Sequence, residues 1–300
     1  KRISIGELLF PIAVAWLFTL NFRGEDKPVV YYIIPLLLLT LADTAGAIAG
    51  TRFGRLIYKT TSGQKSVEGS LAFFTVSLLC TLLPLVCFTP LAISHILYLS
   101  ITIALFITAV EGASGMGMDN LLIPLGTYFL LDYYHDFTAS SMWIRAISLL
   151  ALLALLVFTR SKHTLNGGAV LTASLLCFIS FMLGGVYCLI ACLLLLVRHI
   201  IAVRKIPDPL QYTHSIDAVL AISAPAITWL VLLRGDMGAV FFIVSLAITI
   251  AMLHVGTQKF LGNRTLNLQT IGTSTFLVIL VMALTLPLIY NWKLFASTIV

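Results

Sequence analysis

Apolar runs separated by short polar stretches repeat along the whole chain, at 4–20, 29–49, 68–87, 91–110, 121–133, 141–158, 168–183, 186–201, 215–233, 238–254 and 271–290. Most approach the ~20 residues that carry an α-helix across a bilayer core, and the weak alternation of a membrane β-barrel is missing. The pattern predicts an all-α, polytopic transmembrane helical bundle of about eleven spans. The 121–133 run is short and predicts a tilted or half-span helix. Pro84 and Pro90 mark a tight turn between two spans, and Gly184-Gly185 marks another.

Composition sharpens this picture. Hydrophobic residues make up 60% of the 300 residues and charged residues 10%, against about 25% charged in soluble domains. The net charge of +6 is accounted for by topology, so no nucleic-acid partner is implied. With the N-terminus cytoplasmic, alternation leaves only Arg23, Lys27, Arg145, Arg234 and Lys293 of the 18 basic residues outside, as the positive-inside rule demands. Cys80, Cys87, Cys177, Cys188 and Cys192 are odd in number, lie in or near apolar segments and read as small buried hydrophobes. The chain opens at Lys1 with no cleavable signal pattern, which reads as a fragment or a processed form.

Candidate chemistry concentrates in Leu41–Ser70. Asp43 interrupts an apolar segment, and a carboxylate at membrane depth costs ~2.5–3.5 kcal/mol on insertion scales, so it marks function. One or two carboxylates with substrate phosphates suit Mg²⁺. Gly46, Gly50 and Gly54 recur at helical spacing, which suits close helix packing and also backbone approach to phosphate. Arg52, Arg55, Lys59 and Lys65 form a basic loop ending at Ser66-Val67-Glu68-Gly69-Ser70, a helix start where free N–H groups favour an anion. Gly63-Gln64-Lys65-Ser66 is not a P-loop, because Ile57 and Tyr58 stand where its first glycine belongs. A second acidic, glycine-rich stretch runs from Glu111 to Asp119-Asn120. Asp119 is a helix cap, a second metal carboxylate or a base. The span layout puts Asp43, the 50–67 loop, Glu68, Glu111 and Asp119-Asn120 at one membrane face. His163, Asn166, His214, Asp217, Asp236 and His254 show no recognisable spacing.

Asp43-Thr44, Gly50-Thr51-Arg52-Phe53-Gly54 and Lys65-Ser66-Val67-Glu68-Gly69-Ser70 resemble the CTP-dependent polyprenol kinase family, which includes dolichol, phytol and farnesol kinases. Ile5–Pro11 and the Asp119-Asn120 stretch before Pro124 fit the same likeness, which covers about residues 1–135. The related phosphatidate cytidylyltransferases carry tryptophan where Val67 stands, so a kinase is favoured. The resemblance implies a 1–135 catalytic module followed by a 136–300 transmembrane module, whose Asn166-Gly167-Gly168-Ala169 faintly resembles phytyl-phosphate kinase. It implies transfer of the γ-phosphate of CTP to an isoprenoid alcohol. Asp43, Lys65, Glu68 and Asp119 would be catalytic, and Asp43 and Asp119 would hold Mg²⁺. Gly50, Arg52, Gly54, Lys65, Ser66, Gly69 and Asn120 would bind nucleotide, with Glu68 orienting Lys65 or binding metal. CTP, the lipid alcohol and membrane lipids are the expected partners, and a homodimer is left open. The expected location is a bacterial inner membrane with the site on the cytoplasmic face. CDP-lipid synthesis and membrane transport are the competing functions.

Overall fold

The computed structural model describes residues 5–23, 27–60, 63–134, 139–159, 162–204, 213–233, 235–260 and 272–282. Lys1, Arg2, Arg160, Lys205, Arg234, Arg264 and Lys293, which bear on the orientation argument, lie outside the described residues, as does 271–290 beyond 282. Helices dominate: α1 (Gly6–Phe22), α2 (Val30–Leu37), α3 (Asp43–Phe53), α4 (Val67–Phe88), α5 (Ile93–Ala113), α6 (Asp119–Tyr134), α7 (Ala139–Phe158), α8 (Gly167–Val203), α9 (Ile216–Leu233) and α10 (Gly235–Phe260), with Gly272–Met282 beyond. Among the described residues, 6 helical runs are long and apolar enough to cross a membrane, and Gly6–Phe22, Trp143–Phe158 and Gly272–Met282 are shorter. Several such helices are consistent with an integral membrane protein. One local departure from the all-α expectation is a hairpin, β1 (Ile57–Thr60) with β2 (Gly63–Ser66), in the segment read as a basic loop.

The chain divides into two compact units, one of residues Lys1–Leu155 with Asn166–Leu175 and one of Leu156–Leu165 with Leu176–Val300. In the first, α4 packs on α5 and on α3, while α6 packs on α1, α2 and α5. The most interior helix of this unit is α5, with 61% of its apolar stretch buried against 28% for α4. Leu99, Ile103 and Ile107 from α5 are fully buried, as are Leu38, Phe73 and Leu131 from the elements around it. Local chemistry sets the ends. Ser66, in an extended conformation, accepts from Gly69 N at 3.1 Å and so caps α4. Thr89 and Pro90 stop it. Ser114 turns extended after α5, and its hydroxyl donates to the Val110 carbonyl at 2.6 Å.

Between α2 and α3 the helix widens into a π turn at Leu38–Ala42, where the Asp43 N–H donates to the Leu38 carbonyl. Such single wide turns recur at functional sites. Thr40 and Thr44 donate their hydroxyls to the Leu36 and Thr40 carbonyls at 2.8 and 2.6 Å, which satisfies backbone acceptors around the wide turn.

In the second unit, α9 packs on α10 around Ala226, Leu230, Phe242, Ile243 and Leu246, with Cys188 and Ala191 from α8. The 37-residue α8 is interrupted at Gly185, whose φ of 74° and ψ of −171° are not helical. Cys177 and Cys192 hydrogen-bond to each other, whereas a straight helix would hold them ~22 Å apart. The chain therefore folds back at Gly185, as the glycine pair predicts. All five cysteines are free thiols.

Candidate active site

The site is built where the ends of five elements of the first unit meet. The Glu111 end of α5, the Asp119 start of α6, the Ser66 cap of α4, the hairpin and the start of α1 share it, since Ile5 N donates to the Met116 carbonyl at 3.1 Å. Cross-strand pairing sets Tyr58 opposite Lys65, and opposite residues of an antiparallel pair project from the same face. Lys65 Nζ donates to Glu111 Oε1 at 2.6 Å and also to the Glu111 carbonyl. Both side chains of this ion pair are largely sheltered, 20% and 17% exposed. Tyr58 Oη and Ser70 Oγ share a hydrogen bond of 2.8 Å. Burial pushes the Tyr58 hydroxyl pKa up, the hydrogen bond with Ser70 opposes this, and the Glu111 charge adds to the rise.

Asp43 opens α3 behind this pair, and the charges that act on it are those of Asp119, Glu111 and Lys65. Three carboxylates thus face one ammonium, with no hydrogen-bond donor from a described residue on Asp43. Such an excess of negative charge favours a bound cation. No group of three or more side chains among the described residues could cage a metal unaided. Mg²⁺ does not require one, because it retains water and takes one or two carboxylates with phosphate oxygens. The donor set at Asp43 and Asp119 fits that ion.

Glycines bring α3 and α4 into backbone contact. A Cβ on Gly69 would lie 3.0 Å from the Gly46 carbonyl oxygen and 3.1 Å from Gly50 Cα, and one on Gly54 would lie 2.9 Å from Ser66 Cβ. The faces of Gly50, Gly54 and Gly69 that lack a side chain are therefore occupied by the facing segment. The hydroxyl of Ser66 is committed to its cap. Glu68 does not reach Lys65. Its carboxylate accepts from Leu56 N at 3.2 and 3.3 Å, because Val67 N donates to the Leu56 carbonyl and draws that residue alongside. The partner of Lys65 is instead Glu111. Arg52 is exposed at the end of α3, and Asn120 N donates to Asp119 Oδ1 at 3.1 Å. Asp43, Lys65 and Asp119 are thus brought together, while Arg52 and Glu68 lie outside the charged cluster.

Several contributors were not singled out by sequence reasoning. Tyr58 and Ser70 supply the second hydrogen bond of the hairpin face. Gly112 lets Tyr58 in, since a Cβ there would lie 3.0 Å from Tyr58 Oη and 2.6 Å from Leu171 Cδ1. Gly167 does the same for β1, with Lys59 O at 3.0 Å. The available signal was Gly63, whose φ of 151° opens β2 directly after the turn.

The first unit is therefore an apolar helical body with a charged site at one end. Phytol kinase from Synechocystis sp. is 30% identical to this chain over 126 residues, which cover 42% of the chain and 53% of that protein. The chain spans about half the length of this curated relative. No family model and no solved structure matches it.

Proposed function

We propose that this protein is an integral membrane lipid kinase that transfers the γ-phosphoryl group of CTP to an isoprenoid alcohol at the cytoplasmic face. The observation that carries the reading is the meeting of Asp43, Asp119, Glu111 and Lys65 at one end of an apolar bundle. Likeness to a phytol kinase supports it. In the reaction the acceptor oxygen bonds to the γ-phosphorus as the bond from that phosphorus to the bridging oxygen breaks, and CDP leaves. The acceptor's hydroxyl proton passes to a carboxylate of the site, either Glu111 or an Asp119 that is not engaged by metal. Lys65 neutralises charge on the transferring group, and Arg52 and Asn120 bind the nucleotide. Asp43, with Asp119 where it does not act as base, would hold Mg²⁺, which would supply charge neutralisation on the phosphates, the main demand of phosphoryl transfer. Glu111 keeps the Lys65 ammonium in place.

The test is to incubate purified protein in nanodiscs with Mg²⁺, γ-labelled CTP and a panel of prenols, phytol and diacylglycerol. Label should enter a prenol or phytol, and Asp43→Asn should reduce it about a hundredfold or more. Label absent from every alcohol, or retained in Asp43→Asn, would overturn the assignment. A CDP-lipid formed on adding phosphatidate would replace it with cytidylyl transfer.

A further inference from the structure

We infer that a groove on the first unit, between α1 and α2, holds the apolar chain of the acceptor alcohol and limits its length. This rests on the kinase reading above. The groove has a volume of about 500 Å³. Its lining comes from two adjacent rows of α1 at four-residue spacing. Phe10, Val14 and Phe18 make one row; Pro11, Ala15 and Thr19 make the other; Tyr32 from α2 stands across from them. The second row is small, so the rows form a valley with aromatic walls rather than a ridge. Phe18, Phe22 and Tyr32 cluster at the far end in tilted and edge-on contacts, with centroids 4.9 to 6.2 Å apart. The Thr19 hydroxyl is spent on the Ala15 carbonyl at 2.9 Å, so it leaves the valley floor apolar.

Position identifies the occupant. The start of α1 is fastened to the loop before Asp119 through Ile5 N and the Met116 carbonyl. The groove begins at Phe10, ~7.5 Å along the helix, and runs a further ~13 Å away from the charged site. A molecule with one polar head and one linear chain would put its hydroxyl at the carboxylates and its chain in this valley. A single valley serves one chain, as in a prenol, and gives no second course for a diacyl lipid. Ala15, at mid-groove, is the residue over which a long chain must pass and a short one need not.

Ala15→Phe in the full chain, reconstituted in nanodiscs, tests this with geraniol, farnesol and geranylgeraniol. Expected is a fall of about tenfold or more in kcat/KM for geranylgeraniol, carried by KM, with geraniol changed less than about twofold. Trp16→Phe, outside the groove, should alter none of the three. Equal losses for all chain lengths, or no loss, would refute the groove while leaving the kinase standing. A wild-type protein that phosphorylates no alcohol sinks the kinase reading instead. Photo-crosslinking with a chain-terminal diazirine prenol then judges the groove without catalysis. Label on Val14, Ala15 and Phe18 supports it, and equal label on Ile12 and Trp16 identifies ordinary bilayer contact and rejects it.

Discussion

Alanine substitutions along the glycine seam between α3 and α4 should separate by what each new methyl group meets. At Gly69 the Cβ would stand 3.0 Å from the Gly46 carbonyl oxygen and 3.1 Å from Gly50 Cα. Both are backbone atoms, so the helices must move apart by a few tenths of an ångström. Overpacking of that kind costs ~1–3 kcal/mol, less up to ~1 kcal/mol of helix propensity that alanine gains over glycine at this position in α4. At Gly50 the nearest atom is Ser66 Oγ at 3.2 Å, with Gly69 Cα at 3.7 Å. A displaced hydroxyl forfeits a cap worth ~1 kcal/mol, and alanine recovers ~1 kcal/mol of helix propensity over glycine, so Gly50→Ala should be near neutral. Gly54→Ala is the severe case, with Cβ driven into the Gly50 carbonyl oxygen and 2.9 Å from Ser66 Cβ, and should exceed ~3 kcal/mol. Equilibrium unfolding in mixed detergent micelles, followed by circular dichroism, gives the order directly. A Gly50→Ala penalty larger than that of Gly69→Ala, or a neutral Gly54→Ala, would refute the close approach of the two helices.

The Lys65–Glu111 pair lies between exposed ion pairs, worth ~0–1 kcal/mol, and buried pairs whose disruption costs ~3–5 kcal/mol. A double-mutant cycle with Lys65→Met and Glu111→Gln should return a coupling of ~2 kcal/mol in the same unfolding assay, and a value below ~0.5 kcal/mol would contradict the geometry. Tyr58, with its hydroxyl pKa raised by burial, stays neutral in the folded protein while the unfolded chain ionises near pH 10. Its contribution is present below that pH and is lost as pH rises beyond it, so Tyr58→Phe should flatten the alkaline fall in stability. An unchanged alkaline limb would rule out a sheltered hydroxyl.

Helices were the legible part of this chain, because long apolar runs report themselves through length alone. The 68–87 run became Val67–Phe88 and the 91–110 run became Ile93–Ala113. Asp43, Lys65, Glu111 and Asp119 act on one another in the structure, and the span layout puts the same residues at one membrane face. The hairpin was hidden because its inward residues, Tyr58 and Lys65, are as polar as its outward Lys59 and Gln64, leaving no period-two hydrophobic signal. Glu68 misled for a related reason. The resemblance implied that it orients Lys65 or binds metal, but the strand register places Leu56 N beside its carboxylate. The π turn was invisible as well, since an apolar run on either side of it reads the same at any helical pitch.

The wide turn at Leu38–Ala42 has a consequence for how the molecule can vary. One additional residue is accommodated there, so the faces before and after it are offset by about a quarter of a rotation, ~100°. Val30–Leu37 keeps its contact with α6, while Asp43, Gly46 and Gly50 are dialled as a block toward α4 and the charged site. Removing a residue from this turn would restore an even helical pitch and put the two faces out of phase, so that either the α6 contact or the carboxylate would be misaimed. The turn acts as a phase adjuster between a supporting half-helix and a carboxylate-bearing one, letting each keep its own partner within one helical run long and apolar enough to cross a membrane.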